Sequence, residues 1–101
     1  MLKITVQDEP KTVTLRLEGR IAGSWVAEFD RTWHSLAPSL ESKKLRVDLR
    51  GVSYIDAGGQ QILSDIYKKV GADFQTNSIW IDWIVQEARQ GNHKKVKGAP
   101  K

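Results

Sequence analysis

Residues 45–71, LRVDLRGVSYIDAGGQQILSDIYKKVG, constrain the fold of this chain more than any other stretch. Leu45, Val47 and Leu49 alternate with Arg46, Asp48 and Arg50, the period of a strand with one buried face. Further on, Ile62, Leu63, Ile66, Tyr67 and Val70 recur at helical spacing and share one face. Between them stands Asp56-Ala57-Gly58-Gly59. Asp56 offers a carboxylate to the backbone N–H groups that a helix leaves free at its start. The glycines let the backbone turn sharply and approach a neighbour. Gly71 ends the helix, and Lys68 and Lys69 occupy its last turn, where the helix dipole favours cations. A helix start held at a strand's end is a recognition point when its N–H groups face outward.

The segments on either side extend the pattern. Leu2, Ile4 and Val6 alternate with polar residues, as do Val13, Leu15 and Leu17. With the turn Asp8-Glu9-Pro10-Lys11 between them, these read as a hairpin in which Gly19 ends the second strand. Arg20-Ile21-Ala22-Gly23 is a connection, and Ser24 is a candidate cap for a first helix. Val26, Phe29, Trp33, Leu36 and Ala37 form the apolar stripe of that helix, and Pro38 prevents its continuation. Residues 39–44 read as a polar loop interrupted by Leu40. After Gly71, Ala72, Phe74 and Thr76 alternate as a short strand. Asn77 or Ser78 then caps a last helix over 79–90, ended by Gly91. Ile79, Ile81, Trp83 and Val85 also fit strand alternation, but Gln86-Glu87-Ala88-Arg89-Gln90 is made largely of good helix formers and favours the helix.

The predicted order is β-β-α-β-α-β-α: an α/β (α+β) mixed sheet of about four strands with three helices mainly on one face. One domain over 1–91 suits a chain of 101 residues. Residues 92–101 read as a basic, disordered tail. The net charge of +4 belongs to the end of the chain. Arg89, Lys94, Lys95, Lys97 and Lys101 give the last thirteen residues five positive charges and no acid. The rest is close to neutral, so a basic fold surface for nucleic acid is not indicated. The tail offers electrostatic contact with nucleic acid or anionic lipid, or is simply a solvated end. No apolar run approaches the ~20 residues that span a bilayer, and the first residues read as a strand rather than a signal peptide. With no cysteine in the chain, a cytoplasmic location is the expectation.

Few residues suggest chemistry. His34 and His93 are distant, without accompanying carboxylates, and predict no metal site. Asp48 and Asp56 are poorly spaced for an acid–base pair, and no nucleophile or phosphate-loop motif is present. Neither an enzyme nor a bound cofactor is expected. The candidate contact surface is Asp56, Ala57, Gly58, Gly59 and Gln60, joined by Ser24 and Trp25 from the connection after the second strand. The structural reading of the same loop is a tight turn in which Asp56 caps and the glycines meet backbone constraints. Four tryptophans are many for so small a core. Trp33 fits the buried stripe, while Trp80 and Trp83 would share a helical face opposite Ile81, Ile84, Val85 and Ala88. That pair reads as an anchor for a protein partner or as packing at the end of the sheet.

The 45–71 stretch resembles the central motif of STAS domains, the family of bacterial anti-sigma-factor antagonists and of the cytoplasmic domains of sulfate transporters. Val47-Asp48-Leu49 matches the strand of that motif, Val52-Ser53-Tyr54-Ile55-Asp56 leads into the loop, and Gly59 matches its last glycine. The resemblance follows the order of elements over about residues 2–89 and implies the fold deduced above. It also implies a regulatory protein that binds an anti-sigma factor or a kinase-like regulator, or an accessory subunit that meets the ATPase of a peripheral membrane transport complex. A small-ligand or nucleotide-binding domain is a third implication. The chain departs from the pattern at the switch. Regulatory members carry a phosphorylatable serine where this chain has Gly58, Ala57 stands where many have a hydroxyl residue, and Gln60 replaces a usual leucine. Phosphoryl transfer needs a hydroxyl, so this loop cannot accept one. Ser53 and Ser64 remain as hydroxyls elsewhere, at positions that do not match the switch.

Overall fold

A computed structural model describes residues 1–40 and 42–90. Strands β1 (Leu2–Asp8) and β2 (Thr12–Ile21) lead to helix α1 (Ser24–Leu36) and a 3₁₀ turn, Ala37–Leu40. Strand β3 (Lys44–Ile55), helix α2 (Ala57–Val70), strand β4 (Asp73–Gln75) and helix α3 (Ile79–Arg89) follow. The sheet order is β1-β2-β3-β4, with β1 antiparallel to β2 and the other neighbours parallel. This is the predicted mixed sheet in the predicted order.

Strand alternation sets the layers. Val13, Leu15 and Leu17 of β2 and Leu45, Val47 and Leu49 of β3 are buried. They meet Phe29 and Trp33 of α1, Ile62, Leu63 and Ile66 of α2, and Ile81, Ile84, Val85 and Ala88 of α3 in one core. Burying a side chain such as Phe29 contributes about 1.5–3 kcal/mol, so two aromatics suffice to dock α1. The intervening residues, among them Lys3, Arg16, Arg46 and Arg50, lie exposed on the other face of the sheet. Asp48 is the exception there. It is 5% exposed, and the Arg50 guanidinium grips it at 3.0 Å on each carboxylate oxygen. That hydrogen-bonded pairing holds the Asp48 carboxyl below its ordinary range.

Several local expectations are corrected. Gly19 does not end β2, which runs on to Ile21. Its φ of 110° and its closeness to β1 explain the glycine: a Cβ there would sit 2.2 Å from the Met1 carbonyl oxygen. Strand β3 is one element of twelve residues and runs on past the alternation of Leu45, Val47 and Leu49 to Ile55. Arg16 faces Asp48 but Glu18 faces Gly51, and Gly19 faces Val52 but Arg20 faces Tyr54. Each step places one extra residue on β3, a bulge that breaks the alternation. Ser24 does not cap α1. Gly23 holds the cap position with φ 62°, and no side chain serves it. Leu40, the apolar interruption of the expected loop, closes the 3₁₀ turn and is buried. Val70 is exposed and Tyr67 only half-buried, and Gly59 and Ser64 take inward positions instead. Ala72 and Thr76 flank β4 rather than belonging to it.

Other expectations match. Gly71 adopts the left-handed conformation at the end of α2 and donates its N–H to the Tyr67 carbonyl at 2.8 Å. Segment 79–89 is a helix, and the Ser78 hydroxyl accepts from the Ile81 N–H at its start. The expected ending at Gly91, His93 and the basic tail over 92–101 lie outside the described residues. Among the described residues no helix is long and apolar enough to cross a membrane.

Candidate functional site at the head of the second helix

Strands β2 and β3 are parallel, so the junctions that follow them lie side by side. Asp56 joins the two. It stands between β3 and α2 in an extended conformation, φ −88° and ψ −179°. Its Oδ1 accepts from the Gly59 N–H at 2.9 Å, and its Oδ2 accepts from the Gly23 N–H at 3.1 Å. Its own N–H donates to the Ile21 carbonyl at 3.0 Å, and its carbonyl accepts from Gln60 at 2.9 Å. One residue therefore caps α2 and ties the β2–α1 connection to it. The Gly59 amide, and after it the Gly23 amide, hold the Asp56 carboxyl below the ordinary carboxylate range.

This geometry revises the expectation of donors facing outward. The Gly59 amide at the helix head and the amide of Gly23 turn inward onto Asp56, so neither is available to an external anion. What the loop does present is Ala57 and Gly58, both exposed; Val26 of α1 lies nearest Gly58, while Ser24 and Trp25 are also exposed and Trp25 lines the groove between β1 and α1. Gln60 is half-buried. The two glycines differ. A Cβ on Gly58 would meet Val26 Cγ1 at 3.3 Å and Asp56 Oδ1 at 3.5 Å, a contact that slight adjustment absorbs. A Cβ on Gly59 would meet Ile21 Cγ2 at 2.6 Å, with the Ile21 carbonyl oxygen and Ile55 Cγ2 each at 3.1 Å. Gly59 is a packing requirement, and Gly58 is surface. Gly23 and Val26 are named in the sequence only as part of a connection and of the first helix's apolar stripe, not as part of the contact surface. The proximity of Gly23 to a second glycine-bearing junction gives no linear signal.

Trp80 and Trp83 share the outer face of α3, as their spacing predicts. They are 53% and 56% exposed, with rings stacked at 6.0 Å and 13°. Ile79 beside them is 92% exposed. Among the described residues no hydrogen bond or ring contact joins this pair to the 56–60 loop. Trp33 is fully buried, in the stripe where the sequence puts it.

Between α2 and α3 a groove of about 220 Å³ is lined by Ala57, Gln60, Gln61, Ser64 and Ala88. Ser64 is 2% exposed, and its hydroxyl has no hydrogen-bond partner among the described residues. It is not accessible for modification in the folded chain. An unpaired buried hydroxyl costs about 1–3 kcal/mol. Ser64→Ala is therefore expected to raise the thermal midpoint, and a lowered midpoint in a calorimetric scan would refute this account of the site. Ser53 is exposed, and its hydroxyl donates to the Gly19 carbonyl at 3.3 Å. His34 meets the Asp30 carbonyl oxygen at 2.9 Å and its carboxylate at 3.2 Å, and its ring lies tilted against Trp33 at 6.3 Å, all within its own helix. Among the described residues no group of three or more His, Cys, Asp or Glu side chains converges as metal ligands would.

No protein-family model matches the chain, and no curated protein matches its sequence. Solved structures do match in shape. An anti-sigma factor antagonist from Mycobacterium paratuberculosis superposes with a TM-score of 0.73 at 17% identity, covering 94% of this chain and 82% of that one. The anti-sigma factor antagonist SpoIIAA in its unphosphorylated form gives a TM-score of 0.66 at 12% identity, over 84% of this chain and 83% of its own. A STAS-domain antisigma-factor antagonist from Rhodobacter sphaeroides gives 0.54 at 17% identity, over 74% and 84%. The fold is that of a STAS domain, the SpoIIAA-like mixed sheet with helices on one face.

Proposed function

We propose that the chain is a non-enzymatic protein–protein interaction module of anti-sigma-factor-antagonist type. In this reading it works in the cytoplasm of a bacterium, within a regulatory complex whose partner is an anti-sigma factor or kinase-like regulator. The observation that carries the reading is the head of α2, where Ala57 and Gly58 are exposed on a frame that Asp56 ties to Gly23 at the start of α1. The solved antagonists that share its fold support the choice of partner class. Docking is not released by phosphorylation at this loop, because neither Ala57 nor Gly58 carries a hydroxyl. The outer face of α3 favours a second reading, an accessory subunit of a membrane transport complex that meets its ATPase through Trp80 and Trp83. Nucleotide or anion binding at the loop loses support, since the Asp56 carboxylate already occupies the amides such a ligand would use.

The test is Gly58→Arg, which the space around Gly58 accommodates and which projects a long cation from the proposed docking surface. The tagged chain is used to capture partners from a lysate of its source, and these are identified by mass spectrometry. The expected result is recovery of an anti-sigma or kinase-like protein by the wild type and at least a tenfold loss with the folded variant. Unchanged capture by a variant of native thermal midpoint rejects the loop as the docking point.

A further inference from the structure

The free edge of the sheet carries a separate surface. β1 is an edge strand of seven residues. Two hydrogen bonds bracket its hairpin: Glu9 N–H to the Thr12 carbonyl at 2.9 Å, and Arg20 N–H to the Met1 carbonyl at 3.1 Å. They fix the phase of the ladder, because opposed residues in an antiparallel pair alternate between exchanging main-chain bonds and not. With Lys3 opposite Glu18 and Thr5 opposite Arg16, the residues Lys3, Thr5 and Gln7 turn their main-chain groups toward β2. Leu2, Ile4, Val6 and Asp8 turn theirs outward. Among the described residues no main-chain bond reaches that side.

Natural edges are usually blunted by proline, bulges or several charges. β1 has no proline, and it pairs with β2 without a register shift. Its one lysine, Lys3, points to the open face and lies 3.9 Å from Glu18. On the helix side the edge continues into an apolar groove of about 330 Å³ between β1 and α1, lined by Leu2, Ile4, Val6, Trp25, Glu28 and Thr32. Val6 and Trp25 are exposed there.

We propose that this edge takes a second copy of the chain, with two β1 strands pairing antiparallel about a two-fold axis through Thr5. The strand is complementary to its own reverse. In this register Ile4 faces Val6 of the second copy and Leu2 faces Asp8, so every outward-turned residue meets an outward-turned residue. A shift by one residue sets outward groups against inward ones, and a shift by two leaves one end unpaired. On the helix side Ile4 and Val6 of the copy descend beside Trp25, filling the groove. On the open side Thr5 meets Thr5, a favourable cross-strand pair, and Lys3 meets Gln7 with Glu9 of the copy next along that face. No like charges are opposed. The contact is isologous, so it closes as a dimer rather than extending into a fibre.

The chain has no cysteine, so single thiols report the register directly. Thr5 lies in a non-hydrogen-bonded pair of the proposed ladder. Its Cα separation across the axis, about 4.5 Å, falls within the range a disulfide spans. Under mild oxidation Thr5→Cys is expected to give a covalent dimer. Lys3→Cys and Gln7→Cys each stay monomeric alone and cross-link when mixed. Sedimentation of the wild type is expected to reveal a dimer whose fraction rises with concentration. Val6→Pro removes an N–H that faces away from β2, so it abolishes the dimer while the circular dichroism stays native. Should Val6→Pro fail to fold, Val6→Lys makes the same test on the side chain. A wild-type chain that remains monomeric up to about 1 mM overturns the proposal. So does cross-linking of Thr5→Cys no faster than that of Lys3→Cys or Gln7→Cys alone, or a dimer that survives the folded Val6 variant.

Discussion

Gly59→Ala should destabilise the fold, while Gly58→Ala, one residue away, should leave stability unchanged or raise it. Both glycines lie in the first turn of α2, where alanine is the better helix former by up to about 1 kcal/mol. The surroundings decide the sign. The new methyl at position 59 falls 2.6 Å from Ile21 Cγ2 and 3.1 Å from the Ile21 carbonyl oxygen. Ile21 is fully buried at the end of β2, and its Cγ2 is not the far end of a flexible chain that could swing aside. Overpacking of this kind costs about 1–3 kcal/mol, enough to outweigh the gain in propensity. At position 58 the methyl meets Val26 Cγ1 at 3.3 Å on the exposed side, and the propensity gain survives. Urea denaturation of the two variants is the measurement. Midpoints that move in the same direction by similar amounts would mean that α2 does not approach β2 as described.

Removal of the Asp56 carboxylate is the second large effect. Asp56→Ala deletes the cap of α2, worth about 0.5–2 kcal/mol, and leaves the Gly23 amide without its charged acceptor, an exposed bond worth less than about 1.5–3 kcal/mol, the range typical of bonds to charged groups, because water screens it. Because Gly23 belongs to the other junction, the loss should also loosen the start of α1, which has no side-chain cap of its own. The acid limb of stability separates charge from geometry. Asp56 and Asp48 both titrate lower in the folded chain than in the unfolded one. Their contribution is complete above the unfolded value of about 3.9 and is lost as pH falls through the lower folded values. Wild-type stability should therefore hold steady above about pH 5 and decline below about pH 4. Asp56→Asn keeps a hydrogen-bonding side chain at the cap but cannot titrate, so its acid decline should be shallower. An Asp56→Asn profile parallel to the wild type would remove this carboxylate from the account.

The sequence made the order of elements legible because each carries a clean period. Alternation marks β1 and β2, the Val26–Phe29–Trp33 steps mark α1, and Ile81, Ile84, Val85 and Ala88 mark the inner face of α3 against Trp80 and Trp83 outside. Local chemistry also read correctly where a single residue decides it, as with the left-handed Gly71 and the Ser78 cap. Features set by neighbours distant in sequence did not. The two bulges of β3 depend on its pairing with β2, so the alternation of Leu45, Val47 and Leu49 gave no sign of them. Gly19 looked like a terminator because its close approach to Met1 exists only once the hairpin has formed. At the candidate site the capping role of Asp56 was legible from its place before a helix. Its second bond, to Gly23, crosses between junctions 33 residues apart and had no counterpart in the linear pattern.

The unequal burial of the four indoles gives the molecule built-in optical reporters. Trp33 sits in the core, Trp25 on the groove between β1 and α1, and Trp80 and Trp83 on the outer face of α3. Acrylamide quenching can thus follow global unfolding through the first and contact at either surface through the others. Single-tryptophan versions would let one emission signal say which face a partner has covered.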